Sequence, residues 1–105
     1  MIRQGDILLV PVEGPAAAAP ATTSHVLSAG TGETGVYHAH ILEAAEVVAY
    51  AEGLVRVAGA GQLVTRDRKG QAMEGRHATL PVPDGLYRVI TQREWTEDRS
   101  VAALD

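Results

Sequence analysis

Glycine and proline interrupt this chain so often that little room is left for a helix of ordinary length. Eleven Gly and five Pro are spread over 105 residues, and short apolar runs lie between them. Closely spaced turns around short β-prone runs point to an all-β domain, not to a helical bundle or a βαβ protein. Residues 7–12 (Ile-Leu-Leu-Val-Pro-Val) read as a first strand and 25–28 as a second. Residues 36–43 form a third. Residues 47–50 and 54–57 form a hairpin turning at Glu52-Gly53. Residues 62–65, 77–82 and 86–95 complete a set of about eight strands, the pattern of a small barrel or sandwich. A helix over 41–50 is the competitor, because its Ala and Glu are good helix formers. Residues 14–21 are rich in Pro and Ala. Pro15 and Pro20 leave too few residues between them for a stable helix, so a mobile loop is expected.

With 105 residues the chain is read as one domain, 1–105, large enough for a single core. It has no Phe and one Trp, so that core must come from Val, Leu, Ile and Ala. The absence of cysteine excludes disulfides and thiolate sites. A net charge of −4 offers no basic surface for nucleic acid or anionic lipid. The one basic run, Arg66-Asp67-Arg68-Lys69, contains an acid and precedes Gly70, which suits a solvated turn. No apolar run approaches the roughly 20 residues of a membrane span. The first residues lack the layout of a signal peptide, so the expected location is cytoplasmic, with no membrane partner. No phosphate loop, dinucleotide fingerprint or Gly-x-Ser-x-Gly elbow occurs.

Chemistry concentrates in His38-Ala39-His40. Tyr37, Val36, Ile41 and Leu42 favour extended structure, where alternate side chains share a face. The two imidazoles then point the same way with Cα atoms roughly 6.6 Å apart, close enough to share an ion. Two half-exposed histidines on a polar strand face are the bland alternative. A third imidazole, His77, falls on a later expected strand, and strands distant in sequence face one another across a small barrel. Glu46 returns to the His40 face of a regular strand and Glu43 does not, although a bulge at Ala44-Ala45 would reverse that parity. His25 reads as a surface histidine. The expected site is therefore a divalent metal ion (zinc, iron, manganese or nickel) on His38, His40 and His77, and parity favours Glu46 over Glu43 as the acid nearby.

These residues resemble the first motif of the cupin superfamily of small β-barrels. That motif runs glycine, five residues, His-x-His, three or four residues, Glu, six residues, Gly. Here Gly32 is followed by five residues, His38-Ala39-His40, five residues, Glu46, six residues and Gly53. The one-residue departure between His40 and Glu46 is within reach of a β-bulge. The resemblance implies His38, His40 and Glu46 as ligands in a cupin-like barrel. Around His77 it is partial: Gly75 stands two residues before, no proline precedes it, and Pro81 stands where the second motif has Asn. A broader likeness runs through Arg3-Gln4-Gly5-Asp6, His38-Ala39-His40, Tyr87-Arg88-Val89 and Gln92-Arg93-Glu94-Trp95. It is to a set of small uncharacterised bacterial proteins, and it implies one compact domain without supplying an activity.

Two functions follow as expectations. One is a metal-dependent protein whose ion polarises a small molecule or activates water. The other is a non-catalytic protein-binding or assembly module without metal, which would work through sheet edges or loops, including contacts to its own copies. The catalytic residues and the reaction are not legible in the sequence.

Overall fold

The computed structural model describes residues 1–14, 17–31 and 35–91. Eight strands are formed: β1 (Ile2–Gln4), β2 (Ile7–Val12), β3 (Thr22–Gly30), β4 (His38–Ala49), β5 (Leu54–Ala58), β6 (Gly61–Arg66), β7 (Leu80–Val82) and β8 (Gly85–Thr91). The sheet runs β1-β2-β8-β5-β4-β6-β7, with β3 on the other edge of β4, and every pairing is antiparallel. β1 returns beside β7, which makes a nearly closed barrel. Among the described residues the helical structure is a single short turn, Ala51–Gly53. None of it is long and apolar enough to cross a membrane.

Residues 41–49 of the stretch 41–50, where helix and strand compete in the sequence, belong to the twelve-residue strand β4. Pairing on both edges outweighs the helix preference of its Ala and Glu residues. The expected turn after it is present, with Glu52 and Gly53 at φ of 64° and 73°. β5 and β6 both run antiparallel to β4 and act as two halves of one long strand. Glu46 pairs with Ala58 and Glu43 with Gln62, so residues 58–62 carry one more residue than the span they face. The same count holds against β7 and β8, where Val57 pairs with Gly85 and Gly61 with Val82. This is a β-bulge at Gly59-Ala60-Gly61, and it bends three neighbouring strands together.

Backbone geometry shows why small residues stand there. Gly59 and Ala60 have φ of 85° and 54°. The Gly59 carbonyl accepts from the Ala45 N–H at 2.8 Å, and its own N–H donates to Asp84 Oδ1 at 2.9 Å. The core is aliphatic, as the composition requires: Ile7, Leu9, Leu42, Val47, Val55, Val57, Leu63 and Val82, with Tyr87 among them. Along β4 the inward face passes from His40, Leu42 and Ala44 to Val47 across the corner. That change of parity decides where Glu46 goes.

One expectation needs correction here. Residues 77–79 are not strand; they form the end of a turn and an approach to β7. The Met73 carbonyl accepts from the N–H groups of both Arg76 and His77, which curls the chain. Glu74 then accepts from the N–H and hydroxyl of Thr79 and closes the loop. The last strand is described as far as Thr91; the remainder of the expected 86–95 strand lies outside the described residues, as do Pro15 and Ala16 of the 14–21 loop and Gly32 of the cupin-like spacing.

Candidate metal centre

The three histidines singled out by spacing are gathered at one end of the barrel. His38 and His40 open β4, and His77 arrives from the loop before β7. Their ring centres are 5.4 Å (His38–His40), 5.3 Å (His40–His77) and 6.3 Å (His38–His77) apart. Three imidazoles bound tetrahedrally to one ion at about 2.0–2.1 Å have ring centres roughly 5 Å apart. Two of the three separations already match that value, and the third is about an ångström wider.

His40 is the anchor, with 1% of its surface exposed. Its Nδ1 lies 2.9 Å from Gln4 Oε1 and 3.3 Å from Thr65 Oγ1. Its Nε2 is buried and has no hydrogen-bond partner. The nearest carboxylate to that nitrogen is Asp6, with Oδ1 at 3.6 Å. Burial lowers the His40 pKa to about 4, against the pull of Asp6 and with help from His77, His38 and Arg76. His77 is lowered as well, again mainly by burial. Neutral imidazoles are the form that binds a metal. His38 places Nδ1 3.2 Å from the Val36 carbonyl, which suits an Nδ1–H donor and leaves Nε2 available.

Gln4 and Asp6 come from the tight β1–β2 connection, where Gly5 adopts φ 58°. A Cβ on Gly5 would stand 3.0 Å from both His40 Cε1 and His77 Nε2. The connection therefore lies directly against the imidazoles, and only glycine fits without moving them. Gly5→Ala is expected to cost about 1–2 kcal/mol from the left-handed backbone alone. The thermal midpoint should fall by at least several degrees; a midpoint equal to wild type would contradict this packing.

Glu46 does not join the cluster. Beyond the corner it is exposed and pairs with Ala58. The corner at Ala44-Ala45 breaks the alternation that would have returned it to the His40 face. Glu43 is occupied elsewhere, accepting from Arg66 at 2.9 Å and from Gln62 at 2.9 Å. His25 sits opposite Leu42 on β3 and lines a different depression with Tyr50, Leu54 and Val89. The carboxylate that stands beside the cluster is that of Asp6, not Glu46. The sequence shows Gln4-Gly5-Asp6 only as a turn. The sign that could have marked it is a polar pair flanking a glycine at the mouth of an apolar strand.

Among the described residues no group of three or more His, Asp or Glu side chains stands so that it could hold a metal ion. Next to Asp6 a cleft of about 280 Å³ opens between Leu27, Ser28 and Ala29 of β3 and Thr91 of β8. A wider depression of about 650 Å³, lined by Val12, Ala18, Arg56 and Asp84 among others, is a separate feature; neither it nor the cleft beside Asp6 is lined by a histidine.

Fold and site together define a small, nearly closed β-barrel with a histidine cluster at one end. The chain belongs to the family described as a domain of unknown function, DUF8820, which matches residues 3–92 and so takes in Gln4, Asp6 and all three clustered histidines. No curated protein and no solved structure matches the chain.

Proposed function

We propose that this barrel binds one divalent metal ion on His38, His40 and His77, with Asp6 as the fourth donor. The observation that carries the reading is the buried, unpartnered Nε2 of His40, which faces a carboxylate and lies between two further imidazoles. A buried polar atom without a partner is costly and calls for an explanation. An ion explains it, and burial, which lowers the pKa of His40 and His77, favours the neutral form that would bind one. Three nitrogens and one carboxylate oxygen suit zinc, iron, manganese or nickel. The cupin resemblance points the same way for His38 and His40, with the acid taken from Asp6 instead of Glu46.

Held by these side chains, an ion would supply Lewis acidity to a small molecule reaching it past Asp6, which lines the neighbouring cleft. The chain's own part is to keep the His40 and His77 pKa values low through burial and to present the half-exposed Asp6 carboxylate beside that cleft.

Calorimetric titration of untagged protein with one metal at a time tests this. Near-unit stoichiometry is expected for wild type. His38→Ala, His40→Ala and His77→Ala should each lose more than about 100-fold in affinity, beyond the 10–100-fold typical of an outer partner. Asp6→Asn should weaken binding by about tenfold or more, while Glu46→Gln and His25→Ala should bind as wild type does. Wild-type protein that takes up none of the four metals would overturn the reading and leave the non-catalytic assembly module standing.

A further inference from the structure

We infer that Gln4 is a positioning residue that decides which nitrogen of His40 faces the cluster. The functional consequence rests on the metal reading above; the hydrogen-bond argument does not.

The Gln4 side chain is 3% exposed by residue and fully engaged. Its Nε2 donates to the Leu63 carbonyl at 2.9 Å and to the Ala78 carbonyl at 2.8 Å. An amide NH₂ has two hydrogens, and both are used. Turning the amide over would set Oε1 against two carbonyl oxygens, so its orientation is fixed by its neighbours and not by convention. Oε1 must then be the atom facing His40, and a carbonyl oxygen can only accept. The 2.9 Å contact with His40 therefore requires the hydrogen to be on Nδ1. The neutral ring carries one such hydrogen, so Nε2 holds the lone pair. Thr65 Oγ1, at the longer 3.3 Å, serves as a secondary acceptor from the same N–H.

Unrestrained histidine side chains favour the opposite form, with the hydrogen on Nε2. Gln4 thus holds His40 in the less common tautomer, which is the one able to ligate through Nε2. The same amide ties β1 to β6 through Leu63 and to the His77 loop through Ala78. A single side chain closes the barrel seam and orients the buried ligand, as outer-shell partners of metal-binding histidines do.

The test reads the tautomer without metal. In chelator-treated, ¹⁵N-labelled protein at pH 7.5, long-range ¹H–¹⁵N NMR should show His40 protonated on Nδ1 and bare at Nε2. Gln4→Met should move the hydrogen to Nε2 and lower zinc affinity by about 10–100-fold. Gln4→Glu keeps an acceptor but loses both amide donors. It should retain the Nδ1 hydrogen and bind zinc within a few-fold of wild type, even at a lower thermal midpoint. A purely structural role would make affinity follow the midpoint instead. Wild-type His40 protonated on Nε2 would overturn the inference, and so would Gln4→Met with an unchanged tautomer. If Gln4→Met does not fold, the wild-type spectrum and Gln4→Glu decide. Wild-type protein with the Nδ1 hydrogen that binds no metal would support the assignment to Gln4 and sink the metal reading.

Discussion

Gly61→Ala is expected to lower the thermal midpoint by more than about 10 °C. A Cβ at this position would stand 2.5 Å from Val57 Cγ1 and 2.7 Å from the Val82 carbonyl oxygen. Neither atom can give way cheaply. Val57 is 1% exposed in the core, and Val82 is the backbone partner of Gly61 across the β6–β7 pairing. Overpacking of this kind costs roughly 1–3 kcal/mol, and a clash with paired backbone belongs at the upper end. Each kcal/mol lowers the midpoint of a domain this size by about 4–8 °C. Gly59→Ala should be comparably damaging, since its Cβ would lie 2.6 Å from Ala45 Cβ at φ 85°. Gly75→Ala is the control: nothing lies within 4 Å and its φ is ordinary, so the midpoint should be unchanged or slightly higher. Thermal unfolding followed by circular dichroism reads all three. A Gly61→Ala midpoint within 2–3 °C of wild type, about half a kcal/mol, would mean that the bulge does not set the barrel's corner.

That corner also marks where the sequence stops being readable. Alternation and turn residues locate the strands because each depends on local chemistry, and the hairpin at Glu52-Gly53 follows from Gly53, which tolerates positive φ. The convergence of His38 and His40 follows from period two within one strand. His77 also reaches the cluster, but it does so from a turn held by the Met73 carbonyl and Glu74, not from a strand. Glu46 fails for a definable reason. Counting by twos holds only while the strand stays regular, and Ala44-Ala45 is where β4 passes the corner. Neither alanine announces a bend; the cause lies in Gly59-Ala60-Gly61, some fifteen residues later along the chain. Gln4 and Asp6 were hidden for a related reason. Their placement depends on β1 lying against β7, a non-local contact that no window of sequence contains.

Acid should destabilise the metal-free protein well before the carboxylates titrate. The folded-state pKa of His40 is about 4, against 6.5 for the free side chain, chiefly because the ring is buried. The unfolded chain therefore binds a proton on this residue first. Between pH 6.5 and pH 4 each downward step favours unfolding, and above pH 6.5 the contribution is constant. The full loss across that window is about 3 kcal/mol, of which about 2 kcal/mol falls between pH 7 and pH 5. His77, also lowered by burial, acts in the same direction. Glu43 is lowered mainly by its hydrogen bond from Arg66, and Glu74 by those from Thr79. Those two lose stability only as pH falls below the ordinary carboxylate range near 4.5, so the windows are separable. Urea unfolding in chelator at pH 7, 6 and 5 should show the loss in wild type. In His40→Gln the slope should shrink to the part that His77 supplies. Zinc at saturating concentration should raise stability at pH 7 by mass action, and the gain should fade towards pH 5 as protons compete for the same nitrogens. Equal unfolding free energies at pH 7 and pH 5 in the metal-free wild type would mean that His40 is not held neutral by burial.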